Sequence, residues 1–260
     1  VEEAARRVVD GGEDAVLLLP LYNKEGAPIG IRPMASTVIP NGCIVFPGSF
    51  NPPHIGHLSL GKASIRTLER LEPYVHPRRY NEKPIVFEIS LTNADKPSID
   101  PKIVAERVQK FLDLASSSKD DASSSFPQQW GVVLTRAPLF EEKLRILRSC
   151  VKTTQEPPRV NFVIGTDTLV RILNPKYYED QSPDRMAESL LELNRSGAGF
   201  IVGGRLEQGT TSEPKFVSGK EELVGLPGPV ASMFAIMDES EFRVDLSSSQ
   251  LRAQQAREQE

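Results

Sequence analysis

The chain has 260 residues, and 31 Lys or Arg against 35 Asp or Glu give a formal net charge of −4 at pH 7. This length fits one large domain, or one domain with an appendage. The acidic balance excludes a broad nucleic-acid-binding face, which needs a basic surface, but is compatible with a small anionic ligand. Cys43 and Cys150 are too few for a disulfide framework, and no apolar run is long enough to span a membrane. We therefore expect a soluble intracellular protein, in a compartment that the sequence does not specify.

The predicted elements begin with a front segment, residues 1–42, which we interpret as a linker or appendage. It contains a short helix at 1–10, ended by two glycines, and a strand at 15–22. Residues 31–42 show no clear periodicity and are predicted to be irregular.

Strands and helices alternate from Cys43 onward, and residues 43–260 are predicted to form one α/β domain. The predicted strands lie at 43–50, 85–91, 131–135, 160–164, 200–203 and 234–237. The predicted helices lie at 54–71, 101–115, 139–149, 184–194 and 247–260, with one more entered at Asp167. This alternation is typical of a Rossmann-like, doubly wound parallel sheet with helices on both faces and strand order 3-2-1-4-5. In that order, the loops after the first and fourth strands flank one crevice.

The stretch FPGSFNPPHIGH, residues 46–57, follows the first strand. Gly48 permits a sharp exit from the strand and a close approach of the backbone to a ligand. Ser49 and Phe50 then offer backbone N–H groups, and the prolines after Asn51 fix the turn into a helix. A loop of this kind is typical of a site that holds phosphate at a helix N-terminus.

Two of the three histidines of the chain, His54 and His57, occupy the start of that helix. At i and i+3 they share one face of the first turn, where free N–H groups and the helix dipole favour an anion. Together with the glycine loop they predict a polyphosphate site. The alternatives are a partial metal site, for which no third ligand is evident, and ordinary surface or core histidines. The third histidine, His76, falls in a polar loop that we predict to be solvated.

The string GSFNPPHIGH resembles the GxFxPxHxGH signature of the HIGH-type, cytidylyltransferase-like nucleotidyltransferase superfamily. In the GSFNPxHxGH form it is most similar to nicotinamide or nicotinic acid mononucleotide adenylyltransferases. The resemblance extends through further motifs over about residues 43–252. It implies a nucleotidyltransferase domain at 43–260, in which His54, His57 and Arg252 act on the nucleoside triphosphate.

The stretch DLSSSQLR at 245–252 resembles the motif ISSTxIR of this superfamily. Ser247 and Ser248 at a helix start offer hydroxyl and N–H groups to phosphate. Arg252 lies four residues after Ser248 on the same helix face, and its guanidinium suits two phosphate oxygens. The alternative interpretation is an ordinary capped amphipathic helix.

The stretch VIGTDTL at 163–169 resembles the GxD segment that follows the fourth strand in the superfamily. Gly165 allows a nucleoside to lie on the backbone. Asp167 is suited to accept hydrogen bonds from ribose hydroxyls or a base amine. The alternative is that it caps the following helix.

The stretch LTNADKP at 91–97 ends the second strand and is predicted to bind the acceptor substrate. In this interpretation Lys96 binds a mononucleotide phosphate and Asn93 another polar group. Arg107, in the following helix, is interpreted as a solvated charge. Arg205, after the fifth strand, is interpreted as a residue near phosphate. The stretch TRAPLFEEK at 135–143 follows the third strand and is expected to line the acceptor pocket.

The resemblance implies transfer of an adenylyl group from ATP to a mononucleotide phosphate, with release of pyrophosphate, in NAD biosynthesis. The expected partners are ATP and a small phosphate-bearing acceptor such as nicotinamide mononucleotide, and the oligomeric state is left open. The expected cofactor is Mg²⁺ bound through the substrate phosphates, so no dedicated metal site is predicted. Three alternatives are a transferase with CTP or another acceptor, an aminoacyl-tRNA synthetase, and a nucleotide-binding module without catalysis. The synthetase is disfavoured because the chain is short and acidic and has no KMSKS-like loop.

Overall fold

A large mixed sheet, flanked by helices, organises the computed structural model and confirms the α/β prediction. The structure describes residues 1–71, 85–92, 98–117, 127, 129–153, 157–207 and 215–242. Its strands are β1 Ala15–Tyr22, β2 Pro28–Pro33, β3 Cys43–Pro47, β4 Ile85–Ser90, β5 Trp130–Thr135, β6 Val160–Gly165, β7 Ala198–Gly203, β8 Arg205–Glu207, β9 Lys215–Val217 and β10 Phe234–Ile236. Its α-helices are α1 Glu2–Val9, α2 Ile55–Leu71, α3 Pro101–Ser117, α4 Phe140–Ser149, α5 Thr166–Ile172, α6 Pro183–Arg195 and α7 Gly228–Ala231.

The strand order of the main sheet is β10-β7-β6-β3-β4-β5-β1-β2. The predicted order 3-2-1-4-5 corresponds to β5-β4-β3-β6-β7, and all pairs within this set are parallel. The sixth predicted strand, β10, extends it in parallel beside β7. The order differs from the prediction at the opposite edge, where β1 pairs antiparallel with β5, and β2 antiparallel with β1.

The front segment, predicted as a linker or appendage, therefore adds two strands and a helix to this edge. Ala15 pairs with Thr135 in the ladder between β1 and β5. Ala5 and Val8 of α1 are fully buried in the same apolar cluster as Val108 of α3. Residues 31–42 were predicted to be irregular, but β2 extends to Pro33 within them.

Two apolar clusters cover the two faces of the sheet, as the periodicity of each strand requires. In β3, Ile44 and Phe46 belong to one cluster, whereas Cys43 and Val45 belong to the other. Side chains alternate between faces along a strand, so a strand buried on both faces is apolar throughout. The first cluster includes residues of α1, α2 and α3, and the second includes residues of α4, α5 and α6.

A short hairpin follows β7, where the sequence predicts only a long loop. Its strands β8 and β9 pair antiparallel, with Leu206 opposite Phe216. None of the helices in the described ranges is both long and apolar enough to cross a bilayer.

Candidate functional site

A cavity of about 770 Å³ opens at the carboxyl ends of the central parallel strands. Its walls come from the ends of β3, β4, β6 and β7 and from the first turns of α2 and α5. Both the loop after β3 and the loop after β6 line it. This confirms the prediction that these two loops flank one crevice, because adjacent strands whose crossovers run on opposite faces leave a gap there.

The loop after β3 is shaped by the contact between Gly48 and the ring of Phe50. A Cβ atom added to Gly48 would lie 2.7 Å from Phe50 Cζ, so only glycine leaves room for this ring. The Gly48 N–H donates to the Glu88 carbonyl at 3.0 Å, which ties the loop to β4. Phe50 has a φ of 43°, a left-handed conformation that costs a residue other than glycine roughly 1–2 kcal/mol. Burial of its ring offsets that cost, since Phe50 is only 1% exposed.

Gly48 and Ser49, two of the predicted nucleotide-binding residues, line the cavity, whereas Phe50 lies beneath it. The Phe50 ring packs edge-on against the His57 imidazole, with 5.0 Å between ring centroids. Arg107 Nη1 donates to the Ser49 carbonyl at 3.0 Å and holds the loop from the opposite side.

The rings of the two histidines lie against each other at the start of α2, with 3.7 Å between their centroids and a tilt of 38° between their planes. The His54 backbone N–H donates to His57 Nδ1 at 3.1 Å. Because Nδ1 accepts this bond, the proton of the neutral His57 ring lies on Nε2, which is then a hydrogen-bond donor. Burial, and then the neighbouring His54, lower the pKa of His57 to about 3. Burial also lowers the pKa of His54. Without a ligand, His57 is therefore a neutral donor at pH 7.

The neutral state of His57 predicts a loss of stability in acid. Its pKa is about 3 in the folded chain, against 6.5 for the ordinary group. Below pH 6.5 the unfolded chain binds a proton that the folded chain does not, so stability falls as the pH decreases towards 3. Between pH 7 and pH 5 the expected loss in the free energy of unfolding is about 2 kcal/mol. Urea unfolding at both pH values measures it. His57→Asn lacks this titrating group, so its loss in the free energy of unfolding over the same pH range should be smaller than that of the parent by about 2 kcal/mol. An equal loss in both proteins contradicts the prediction.

The opposite wall of the cavity carries Gly165 and Asp167, which the sequence analysis assigns to nucleotide binding. A Cβ atom added to Gly165 would meet nothing within 4 Å, so the space above its backbone is open. Gly165 is itself the N-cap of α5, and Asp167 lies within the first turn rather than capping it. The Asp167 carboxylate forms an ion pair with Arg205 Nη1 at 2.5 Å, at the exposed rim. Exposed ion pairs contribute little to stability, about 0–1 kcal/mol. Replacing the bond between Asp167 and Arg205 by a bond to a ligand would therefore cost little.

The buried side-chain atoms that make no hydrogen bond within the described residues include Glu88 Oε2, Thr92 Oγ1, Arg107 Nε and Thr166 Oγ1. All four belong to residues that line the cavity. A buried polar group without a partner costs roughly 1–3 kcal/mol, so such groups usually mark a place where a ligand or water supplies the bond. Their position around one cavity indicates a polar ligand with both donors and acceptors.

Two charged residues of the cavity wall, Glu88 and Arg107, were not predicted as site residues, whereas Lys143 ends the stretch 135–143 that was predicted to line the acceptor pocket. The signal for Glu88 was a single charge inside the buried strand IVFEIS. Lys143 in α4 is buried and binds Glu88 Oε1 at 2.8 Å. The interpretation of Arg107 as a solvated charge was wrong, since it lines the cavity and burial lowers the pKa of its guanidinium.

Five predicted site residues lie outside the described residues, and their roles stay predictions: Asn93, Lys96, Ser247, Ser248 and Arg252. The chain enters both of these segments from the cavity wall, at Thr92 and at Phe242. Among the residues with described positions, no group of three or more His, Cys, Asp or Glu is placed to hold a metal ion.

Comparison with known proteins finds a distant relative of this chain. No protein-family model matches it. The chain is 24% identical over 169 residues to a protein of Schizosaccharomyces pombe named "Putative nicotinamide mononucleotide adenylyltransferase". The matched region covers 65% of this chain and 55% of that protein, so the chain spans about half the length of this relative.

Proposed function

We propose that this protein transfers an adenylyl group from ATP to the phosphate of a mononucleotide, as in the last step of a dinucleotide synthesis such as that of NAD. The observation that carries the proposal is the His54–His57 pair, which lines the same cavity as Gly165 and Asp167. The name of the distant relative, a nicotinamide mononucleotide adenylyltransferase, supports the same reaction and suggests nicotinamide mononucleotide as the acceptor.

The proposed reaction is a single displacement at phosphorus. An oxygen of the acceptor phosphate forms a bond to the α-phosphorus of ATP. The bond from that phosphorus to the oxygen bridging to the β-phosphate breaks, and its electron pair leaves with pyrophosphate. No residue needs to act as a nucleophile, so the protein contributes by orienting two anions and by stabilising the charge that grows on the leaving group.

His57 is suited to that task because its orientation is fixed before the ligand arrives. The bond from the His54 N–H to Nδ1 sets the tautomer, and the rings of Phe46 and Phe50 pack against the imidazole. Nε2–H is then a preorganised donor for a triphosphate oxygen, as electrostatic catalysis requires. A bound polyphosphate favours the protonated ring, and its charge would raise the pKa of His57 from its low value.

The remaining predicted residues complete the proposal. Ser247, Ser248 and Arg252 bind the pyrophosphate end, and Asn93 and Lys96 bind the acceptor. Gly165 and Asp167 bind the nucleoside, with Asp167 exchanging its bond to Arg205 for ribose hydroxyls.

Mg²⁺ is part of the proposal and would neutralise phosphate charge when bound. Two carboxylates line the described walls of the cavity, and each has a cationic partner, Glu88 with Lys143 and Asp167 with Arg205. This set of donors fits a magnesium ion held mainly by phosphate oxygens and water, which this ion prefers to a protein cage.

A pyrophosphate-release assay tests the proposal. The purified protein is incubated with Mg²⁺ and either ATP or CTP, with nicotinamide mononucleotide and other phosphate monoesters as acceptors. We expect release with ATP and a mononucleotide, and little release with CTP. Release with CTP alone supports the alternative nucleotide, and release with ATP and a different phosphate ester supports the alternative acceptor. ATP binding, measured by calorimetry, with no release by any acceptor contradicts the transfer and leaves a nucleotide-binding module.

A further inference from the structure

The floor of the cavity contains a buried ion pair between Glu88 of β4 and Lys143 of α4. Glu88 is 1% exposed and Lys143 is 5% exposed, and both line the cavity. Lys143 Nζ donates to Glu88 Oε1 at 2.8 Å and to the Ala137 carbonyl at 2.6 Å. The Thr135 hydroxyl also donates to Glu88 Oε1. Two donors therefore bind the same carboxylate oxygen.

The other oxygen, Glu88 Oε2, is buried and has no hydrogen-bond partner among the described residues. A carboxylate oxygen only accepts hydrogen bonds, so its missing partner is an N–H or O–H group. Thr92, four residues further along the same wall, also has a buried hydroxyl oxygen without a partner. Both residues line the same cavity, so each of these atoms is available to a polar group of a ligand there.

The position of Glu88 assigns it to the second substrate. Gly165 and Asp167 lie on the β6 side of β3, whereas Glu88 lies on β4, which pairs with β3 from the other side. His54 and His57 follow β3 itself and so stand between the two sides. With the nucleotide on the β6 side and its phosphates at the histidines, the β4 side is left for the acceptor.

We propose that Glu88 selects an acceptor with an uncharged N–H or O–H donor, such as a carboxamide, over one with a carboxylate in the same place. This inference rests on the proposed adenylyl transfer and specifies its second substrate. If the acceptor substrate carried a carboxylate at this place, its oxygens and Glu88 Oε2 would be two negatively charged hydrogen-bond acceptors side by side. They would repel each other, because neither carries a proton to share. Lys143 offsets part of the negative charge, but the bonds that its ammonium makes go to Glu88 Oε1 and to the Ala137 carbonyl, and none goes to Oε2.

Nicotinamide mononucleotide and nicotinic acid mononucleotide test the inference, since they differ by a carboxamide against a carboxylate. Calorimetry measures binding of each, and pyrophosphate release with ATP gives kcat/KM for each. We expect the parent protein to prefer the amide at least about tenfold in both measurements. In Glu88→Gln, whose side-chain amide both donates and accepts, the preference should fall to within about threefold. Glu141→Gln makes the same chemical change at an exposed position of α4 and should keep the parental preference.

The outcomes separate this inference from the transfer itself. Equal use of both acceptors by the parent, or an unchanged preference in folded Glu88→Gln, overturns the role of Glu88 and leaves the transfer standing. Amide-selective binding that Glu88→Gln abolishes, without pyrophosphate release, supports the role of Glu88 and overturns the transfer. If the protein binds neither mononucleotide, the inference about Glu88 is overturned. The proposed transfer then stands only if another acceptor releases pyrophosphate from ATP. Should Glu88→Gln fail to fold, Glu88→Asp keeps the charge beside Lys143 but shortens the side chain, and the same loss of preference is expected.

Discussion

Replacement of His57 by alanine is expected to lower kcat for pyrophosphate release by about 10²- to 10³-fold, the usual effect of losing one preorganised donor to a developing oxyanion. The reason is that Nε2–H of His57 is fixed by the bond at Nδ1 and by the surrounding rings, whereas a water in its place would lack these contacts. Steady-state kinetics with saturating ATP and acceptor measure the loss. Circular dichroism and urea unfolding establish that the variant is folded.

Two further variants give this prediction its controls. His76→Ala removes the third histidine, which the sequence places in a polar loop, and is expected to leave kcat unchanged. His57→Asn keeps a donor on a shorter side chain and should retain more activity than alanine. A parental rate in folded His57→Ala would remove the proposed role of this residue, whatever the behaviour of the other two variants.

Replacement of Lys143 by methionine is expected to lower the free energy of unfolding by about 3–5 kcal/mol, because it leaves the Glu88 carboxylate buried without its cation. Glu88 is 1% exposed and lies among the side chains of the central sheet. The loss corresponds to a decrease in Tm of about 10 °C for a chain of this size. Urea unfolding and thermal unfolding measure the two quantities.

The matched control is Lys152→Met, which makes the same change at an exposed lysine shortly after α4 and should alter stability by less than about 0.5 kcal/mol. The double variant Glu88→Met with Lys143→Met removes both charges and should recover much of the lost stability, since an apolar pair of similar size often replaces a buried ion pair without cost. Stability equal to the parent in Lys143→Met alone would show that the ion pair contributes nothing to the fold.

Local sequence patterns predicted the parts of the cavity wall that depend on neighbouring residues. His54 and His57 are three residues apart, and this spacing predicts that their side chains share one side of the helix start. In the structure His54 directly precedes α2 and His57 lies in its first turn. Gly48 was expected from the sharp turn after β3, although its contact with the Phe50 ring was not foreseen. Because parallel strands with right-handed crossovers leave few arrangements, the order of the five central strands also followed from the alternation of elements.

The tertiary structure alone decided which distant residues meet. Glu88 and Lys143 are 55 positions apart, and Arg107 and Ser49 are 58 apart. No local pattern encodes such pairs, because they depend on how whole strands and helices pack. In the sequence, a charge on a helix has the same appearance whether it faces solvent or a cavity, and this is why Arg107 was misinterpreted.

The sequence by itself determined a parallel α/β sheet with a glycine-containing turn and two histidines after the strand that is now β3. It did so because turns, helix starts and strand periodicity are set by adjacent residues. The tertiary structure decided that the front segment joins the sheet beside β5, and that a buried carboxylate on β4 lines the cavity. Both results depend on contacts between residues far apart in the chain, where the burial of apolar surface, and not local conformation, selects the partner.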